Sequence, residues 1–248
     1  MKGIRVHVGQ SVGLDHQLKQ RNCQDSYALY ESTDTIIGVV CDGCSEGPRS
    51  EVGAALGAQY LMAQASQLVA QHIPLADLPK MLYTRLVAYL DQVTALSTPP
   101  NRVVFVRDYL LFTVLVLIIT KEGTLLLSAG DGLIVIDEQV ECIDQKNLPS
   151  YVAYHLLPEY LPTSFKMPQG FQVHAVTEWQ QLAIGSDGFV PDLLPDVWGM
   201  SHIRSLQRKM NVWAEQGRHF RDDATLITIE RVDEDKHPTQ PLPELSDQ

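Results

Sequence analysis

The sequence predicts an α+β protein built from layered, largely antiparallel sheets. Two observations carry that class. Runs rich in β-forming residues open the chain and crowd its middle, whereas helical periodicity appears in three stretches only. The resulting order, strands, two helices, many strands, a helix and a strand, is not the strict strand–helix alternation of a doubly wound parallel sheet. Hydrophobic residues are 45% and charged residues 20% of the 248, an ordinary globular balance that excludes wholesale disorder.

The elements follow in order. Residues 4–9, 26–30 and 35–41 read as strands. Ser50 is placed to cap a long helix to about His72, whose small residues at 53, 54, 55, 57 and 58 suit close packing on a sheet. Asp77 is expected to cap a second helix, with Leu82, Leu86, Leu90 and Val93 on one buried stripe, and 97–102 with Pro99 and Pro100 breaks it. Strands are expected at 109–119, 124–129, 132–137 and 140–143. Residues 144–170 are irregular, with one helical turn near 152–157, before strands at 171–177 and 180–185. Ile203, Leu206, Met210 and Trp213 mark a third helix that Gly217 stops, and 224–231 is the last strand. Trp179, Phe189, Trp198 and Trp213 are read as core. One domain is expected over 1–232, followed by an acidic, Pro-containing flexible tail at 233–248.

Charge and cysteine content narrow the function. The net charge of −11 repels phosphate backbones and anionic lipid, and no basic patch offsets it, so neither nucleic acid nor a membrane is an expected partner. The longest apolar run, 109–119, is too short to cross a bilayer, and no signal peptide is evident. Four cysteines make no disulfide framework, and the lone pair Cys41 and Cys44 lacks the partners of a zinc site; a cytoplasmic monomer is expected.

The informative feature is a recurrence. Apolar runs end in Asp-Gly at Asp42-Gly43, Asp131-Gly132 and Asp187-Gly188, Asp222-Asp223 leads directly into a strand, and Asp25 opens another. One Asp-Gly is a turn. Several at the ends of adjacent strands bring carboxylates to one edge, where their mutual repulsion calls for a cation. An all-oxygen donor set suits a hard ion such as Mg²⁺ or Mn²⁺ rather than zinc.

These motifs, NCQDS, VVCDG, LLFTVLV with Thr113, SAGDG, IGSDGF and RDDATLI, occur in the order found in the metal-dependent serine/threonine phosphatases of the protein phosphatase type 2C class, which the chain resembles over about 20–230. The opening with Ser11, Gly13, His16 and Asp25 resembles a bacterial branch. The resemblance implies a four-layer sandwich of two antiparallel β-sheets flanked by helices, with a binuclear centre at one end. It implies that Asp42 bridges two Mg²⁺ or Mn²⁺ ions, that the Gly43 carbonyl binds one, that Asp187 and Asp222 bind the other, and that Asp25 holds a metal-bound water. Asp131, with Asp187, matches a weaker third site.

The activity so implied is removal of phosphate from phosphoserine or phosphothreonine of proteins by a metal-bridging hydroxide, with Asp42, Asp187 and Asp222 as catalytic residues. The alternative is a catalytically weak or inactive regulatory binding module on the same fold. Gln20 stands where the family often has a phosphate-gripping arginine, which makes Arg21 and Arg49 the candidate phosphate-binding residues. Cys44 stands where some members have histidine, and Pro191 where the third site has an acid, with Asp192 beside it. His16 is read as structural.

Overall fold

A computed structural model describes residues 3–96, 101–145, 149–162, 164–217 and 219–232; the 233–248 tail and the prolines at 99 and 100 lie outside them. Strand β1 (Ile4–Ser11) leads through a short helix α1 (Leu14–Leu18) to β2 (Asp25–Glu31) and β3 (Thr35–Asp42). Helices α2 (Ser50–Ala70) and α3 (Leu78–Thr94) follow, then α4 (Arg102–Phe105), which runs on as a π-type turn over Val106–Leu110. Strands β4 (Val114–Thr120), β5 (Thr124–Ala129), β6 (Gly132–Ile136), β7 (Gln139–Ile143), β8 (Gln172–His174) and β9 (Gln181–Gly185) come next, and α5 (Ser205–Glu215) and β10 (Ala224–Arg231) close the chain.

The strands form two antiparallel five-stranded sheets, ordered β1-β10-β9-β6-β7 and β2-β3-β4-β5-β8. Period-two alternation of apolar residues builds the layers. On β3, Ile37, Val39 and Cys41 face α2 and α3, while Ile36 and Val40 face the other sheet. On β10, Leu226 meets α5, and Ile227 and Ile229 turn inward against Leu115, Leu117 and Ile184. The predicted four-layer α+β sandwich is what the chain forms. Among the described residues, no helix is long and apolar enough to cross a membrane.

Some local expectations fail for physical reasons. The strand predicted at 109–119 begins only at Val114, because 106–110 coil against α2 and an apolar run cannot by itself distinguish buried helix from strand. The strand at 171–177 shrinks to Gln172–His174. Ile203 is 66% exposed and lies outside α5. Ser50 does not cap α2; Arg49 holds that position, and the buried Ser50 hydroxyl donates to the Cys44 carbonyl at 2.9 Å. α1 is too short to show periodicity.

The small face of α2 works as expected. A Cβ built on Gly53 would lie 2.1 Å from the Tyr109 carbonyl oxygen, which is backbone and cannot move aside. Helix propensity favours alanine over glycine by about 1 kcal/mol, but forced overpacking costs about 1–3 kcal/mol. Gly53→Ala is therefore expected to be net destabilising, read as a lower midpoint in chemical denaturation with an unchanged slope.

Candidate metal centre

The alternation that builds the inner layer also aims the acids. Tyr27 and Leu29 on β2 and Ile36 and Val40 on β3 face between the sheets, so Asp25 and Asp42, in phase with them, face the same way. The β2–β3 register sets Asp25 directly opposite Asp42. Thr113 fixes the end of β3: its backbone N–H donates to the Asp42 carbonyl at 2.8 Å, and its hydroxyl accepts the Asp42 N–H at 3.3 Å. Gly43 then pairs with Phe112, and a Cβ there would lie 2.7 Å from the Ser50 hydroxyl, so close packing requires glycine.

The other sheet joins through Ser186, which follows β9. Its hydroxyl accepts the Thr225 N–H at 2.9 Å and donates to Asp25 Oδ2 at 2.6 Å, stitching the two sheets together at the acid end. Asp187 follows Ser186, and the loop presses on the start of β10 so closely that a Cβ on Gly188 would lie 2.0 Å from the Asp223 carbonyl oxygen. Asp222 Oδ1 accepts the Asp223 N–H at 2.8 Å.

Asp223 is the residue that sequence reasoning missed. It is 2% exposed, and its carboxylate accepts from the Gly13 N–H at 2.7 Å, the Gln24 N–H at 2.5 Å and His16 Nδ1 at 2.7 Å. The signal was the doubled aspartate, which the reading used only for Asp222. His16, read from the sequence as structural, is buried with its Nδ1 2.7 Å from Asp223 Oδ2. His16, Asp222 and Asp223 could together offer metal-binding atoms, but the clasp already satisfies the Asp223 carboxylate.

Asp42, Gly43, Asp131, Asp187 and Asp222 line one cleft of about 470 Å³, with Cys44, Thr113 and Tyr151 among its other walls. Asp25 is buried beside Asp42. Burial pushes the Asp25 carboxyl up to about 7, against the opposing hydrogen bonds of Ser186 and Thr225. Asp42 is held well above the carboxylate range, first by burial and then by the charges of Asp25, Asp187 and Asp222. Asp222 is raised by burial, and so is Asp131, whose Oδ1 accepts the Gln145 N–H at 2.9 Å.

A divalent cation fits this donor set on two observations. Asp25 Oδ1 is buried without a hydrogen-bond partner, a costly state for a carboxylate oxygen. The facing groups are all hard oxygen donors, which suit Mg²⁺ or Mn²⁺.

Arg21 and Arg49 do not line this cleft. They line a neighbouring recess of about 230 Å³ with Gln20, Gln24 and Glu51. Arg21 Nη1 donates to the Ser45 carbonyl at 2.8 Å, and the exposed Arg49 lies 3.8 Å from Glu51. Among the described residues, none that lines the acid cleft is Lys, Arg or His.

Comparison with known proteins identifies the fold. Searching curated protein sequences yields no significant match. The fold is shared with a bacterial serine phosphatase at 16% identity and TM-score 0.60, covering 93% of this chain and 99% of that one. It is shared with RsbX in complex with magnesium at 17% identity and TM-score 0.56, covering 93% and 96%. It is also shared with the serine/threonine phosphatase Stp1 from Staphylococcus aureus at 14% identity and TM-score 0.57, covering 93% and 95%. The family model for protein phosphatase 2C matches residues 12–222, a span that runs from the N-terminal loop to Asp222, and the chain belongs to that family.

Proposed function

We propose that the protein is a metal-dependent phosphatase that hydrolyses phosphoserine and phosphothreonine monoesters in proteins. The observation that carries this reading is the convergence of Asp42, Asp187 and Asp222 on one cleft, beside a buried Asp25 whose Oδ1 lacks a partner. Asp42 and the Gly43 carbonyl would hold two ions between them with Asp187 and Asp222, Asp25 would act through water, and Asp131 would serve a weaker third site. The magnesium in RsbX supports that class of ion. When bound, the ions supply Lewis acidity that activates water and offsets charge on the phosphoryl oxygens.

The chain's own groups do the rest. Ser186 and Thr225 hold Asp25 in place, and Thr113 holds the end of β3, so the carboxylates are positioned before substrate arrives. Arg21 and Arg49, on the rim beside the cleft, grip the phosphate-bearing segment of the substrate. Gln20 and Cys44 favour the second reading, a regulatory module without turnover. The intact acids oppose it.

The deciding assay is hydrolysis of a phosphothreonine peptide and of an aryl phosphate with Mn²⁺ or Mg²⁺. Turnover is expected with either ion and none after chelation; undiminished hydrolysis in EDTA would refute the reading. Asp42→Asn should keep the fold while turnover falls at least ~10²-fold, because a ligand charge is lost where water is activated.

The raised carboxyls give a stability test. A folded-state pKa above the unfolded one means that the native state holds extra protons, so its stability falls as pH rises through the folded value. For Asp25 the window runs from the ordinary 3.8 to about 7. The metal-free protein is therefore expected to lose on the order of a few kcal/mol between about pH 5 and pH 8. Saturating Mn²⁺ should restore it at the upper pH only. Denaturant titrations at the two pH values, with and without the ion, check this.

The arginines are tested by kinetics. Replacing Arg21 and Arg49 together by Ala should raise KM for a phosphopeptide by about tenfold or more, the scale of a charged hydrogen bond, and leave Mn²⁺ affinity unchanged. A wild-type KM in the double variant removes them from phosphate binding.

A further inference from the structure

Two cavities open on either side of one loop, and their walls differ in charge. The cleft that gathers Asp42, Asp187 and Asp222 has no Lys, Arg or His among the described residues lining it. The recess of about 230 Å³ beside it is lined by Arg21 and Arg49, by the amides of Gln20, Asn22 and Gln24, and by one acid, Glu51. Two guanidinium groups against one carboxylate reverse, locally, the sign of a chain whose net charge is −11.

The loop between them is fixed. Cys44, Ser45 and Glu46 wall the cleft, and Pro48 and Arg49 wall the recess. Gln24, 2% exposed, holds the loop through its side-chain amide, which donates to the Gly47 carbonyl at 2.7 Å and to the Ser50 hydroxyl at 2.6 Å. Arg21 ties the recess to the cleft wall, its Nη1 donating to the Ser45 carbonyl at 2.8 Å. The exposed Arg49 pairs only loosely with Glu51 at 3.8 Å, and Glu51 also accepts from the Asn22 amide at 3.2 Å. Each guanidinium carries five N–H donors, so both keep donors beyond these contacts. A phosphoryl group in the acid cleft lies across the loop from them, and the arginines therefore meet a different part of the substrate.

We propose that the recess is a specificity subsite for an acidic side chain, Asp or Glu, a few residues from the phosphorylated one. The assignment rests on the phosphatase reading above and names what Arg21 and Arg49 contact. A carboxylate matches the planar fork of arginine, and complementary charge of this kind selects among partners. Glu51 sets the limit. One carboxylate among two guanidiniums leaves a single net positive charge, which balances a carboxylate and falls short of a second phosphate at −1.5 to −2.

The test uses the full chain in Mn²⁺ at low ionic strength. Phosphothreonine peptides carry Glu, Gln or a second phosphoserine at one of the three positions on either side of the phosphothreonine. The readout is the ratio of kcat/KM between twin peptides, which cancels any general change in activity. Wild type is expected to favour Glu over Gln about five- to tenfold at one position, chiefly through KM, and less so as salt is added. With Arg21→Ala and Arg49→Ala combined, the ratio should fall below about twofold. A wild-type ratio near one at every position, a ratio that survives in the double variant, or a second phosphoserine favoured over Glu overturns the subsite and leaves the phosphatase reading intact. No turnover of any peptide by wild type overturns that reading and the subsite with it. If the double variant does not fold, Arg49→Gln alone decides: a ratio at least halved supports the subsite, and an unchanged ratio overturns it.

Discussion

Repulsion among carboxylates at one end of the sandwich is the constraint on which the rest of the structure depends. Two unit charges 4 Å apart at an effective dielectric of about 20 interact by roughly 4 kcal/mol, while a whole domain is stable by only about 5–15 kcal/mol. Asp42 is raised first by burial and then by three neighbouring carboxyls, Asp25, Asp187 and Asp222. The fold tolerates them because the strands behind are locked by a close-packed apolar layer, with Leu117, Ile184 and Ile227 fully buried. The remaining imbalance is what a cation would neutralise.

That arrangement is held from two directions. Within the cleft, the Ser186 hydroxyl links Asp25 on one sheet to Thr225 on the other. Behind it, the Asp223 carboxylate gathers Gly13, His16 and Gln24, so the loop leading to Asp25 and the residue after Asp222 are positioned by one buried group. Removing a partner from such a clasp would strand a buried carboxylate.

Cationic groups stand apart from this. The arginines lie in a recess across the loop that follows Gly43, and the cleft itself is walled by acids, hydroxyls and aromatic rings. Among the described residues lining the two recesses, the arginines stand only beside the cleft, so on the proposed reading a phosphate further in would depend on bound cations.

Much of this was legible in the sequence. Element order gave the α+β class, the alternating apolar pattern gave two-faced strands, the recurring Asp-Gly ends marked Asp42, Asp131 and Asp187, and the Asp-Asp before the last strand marked Asp222, all four of which line one cleft. These are local signals, because side-chain alternation and turn chemistry are properties of neighbouring residues. Tertiary contact decided the rest. Whether 106–110 coil or extend depends on the face of α2 they meet, and an apolar run looks the same in either state. Asp223 could not be told from Asp222 by pattern, since its partners Gly13 and His16 lie more than 200 positions away. The placement of Arg21 and Arg49 outside the acid cleft, and of Tyr151 within it, depends on how loops distant in sequence fold over one sheet edge, where packing rather than periodicity sets the position of each side chain.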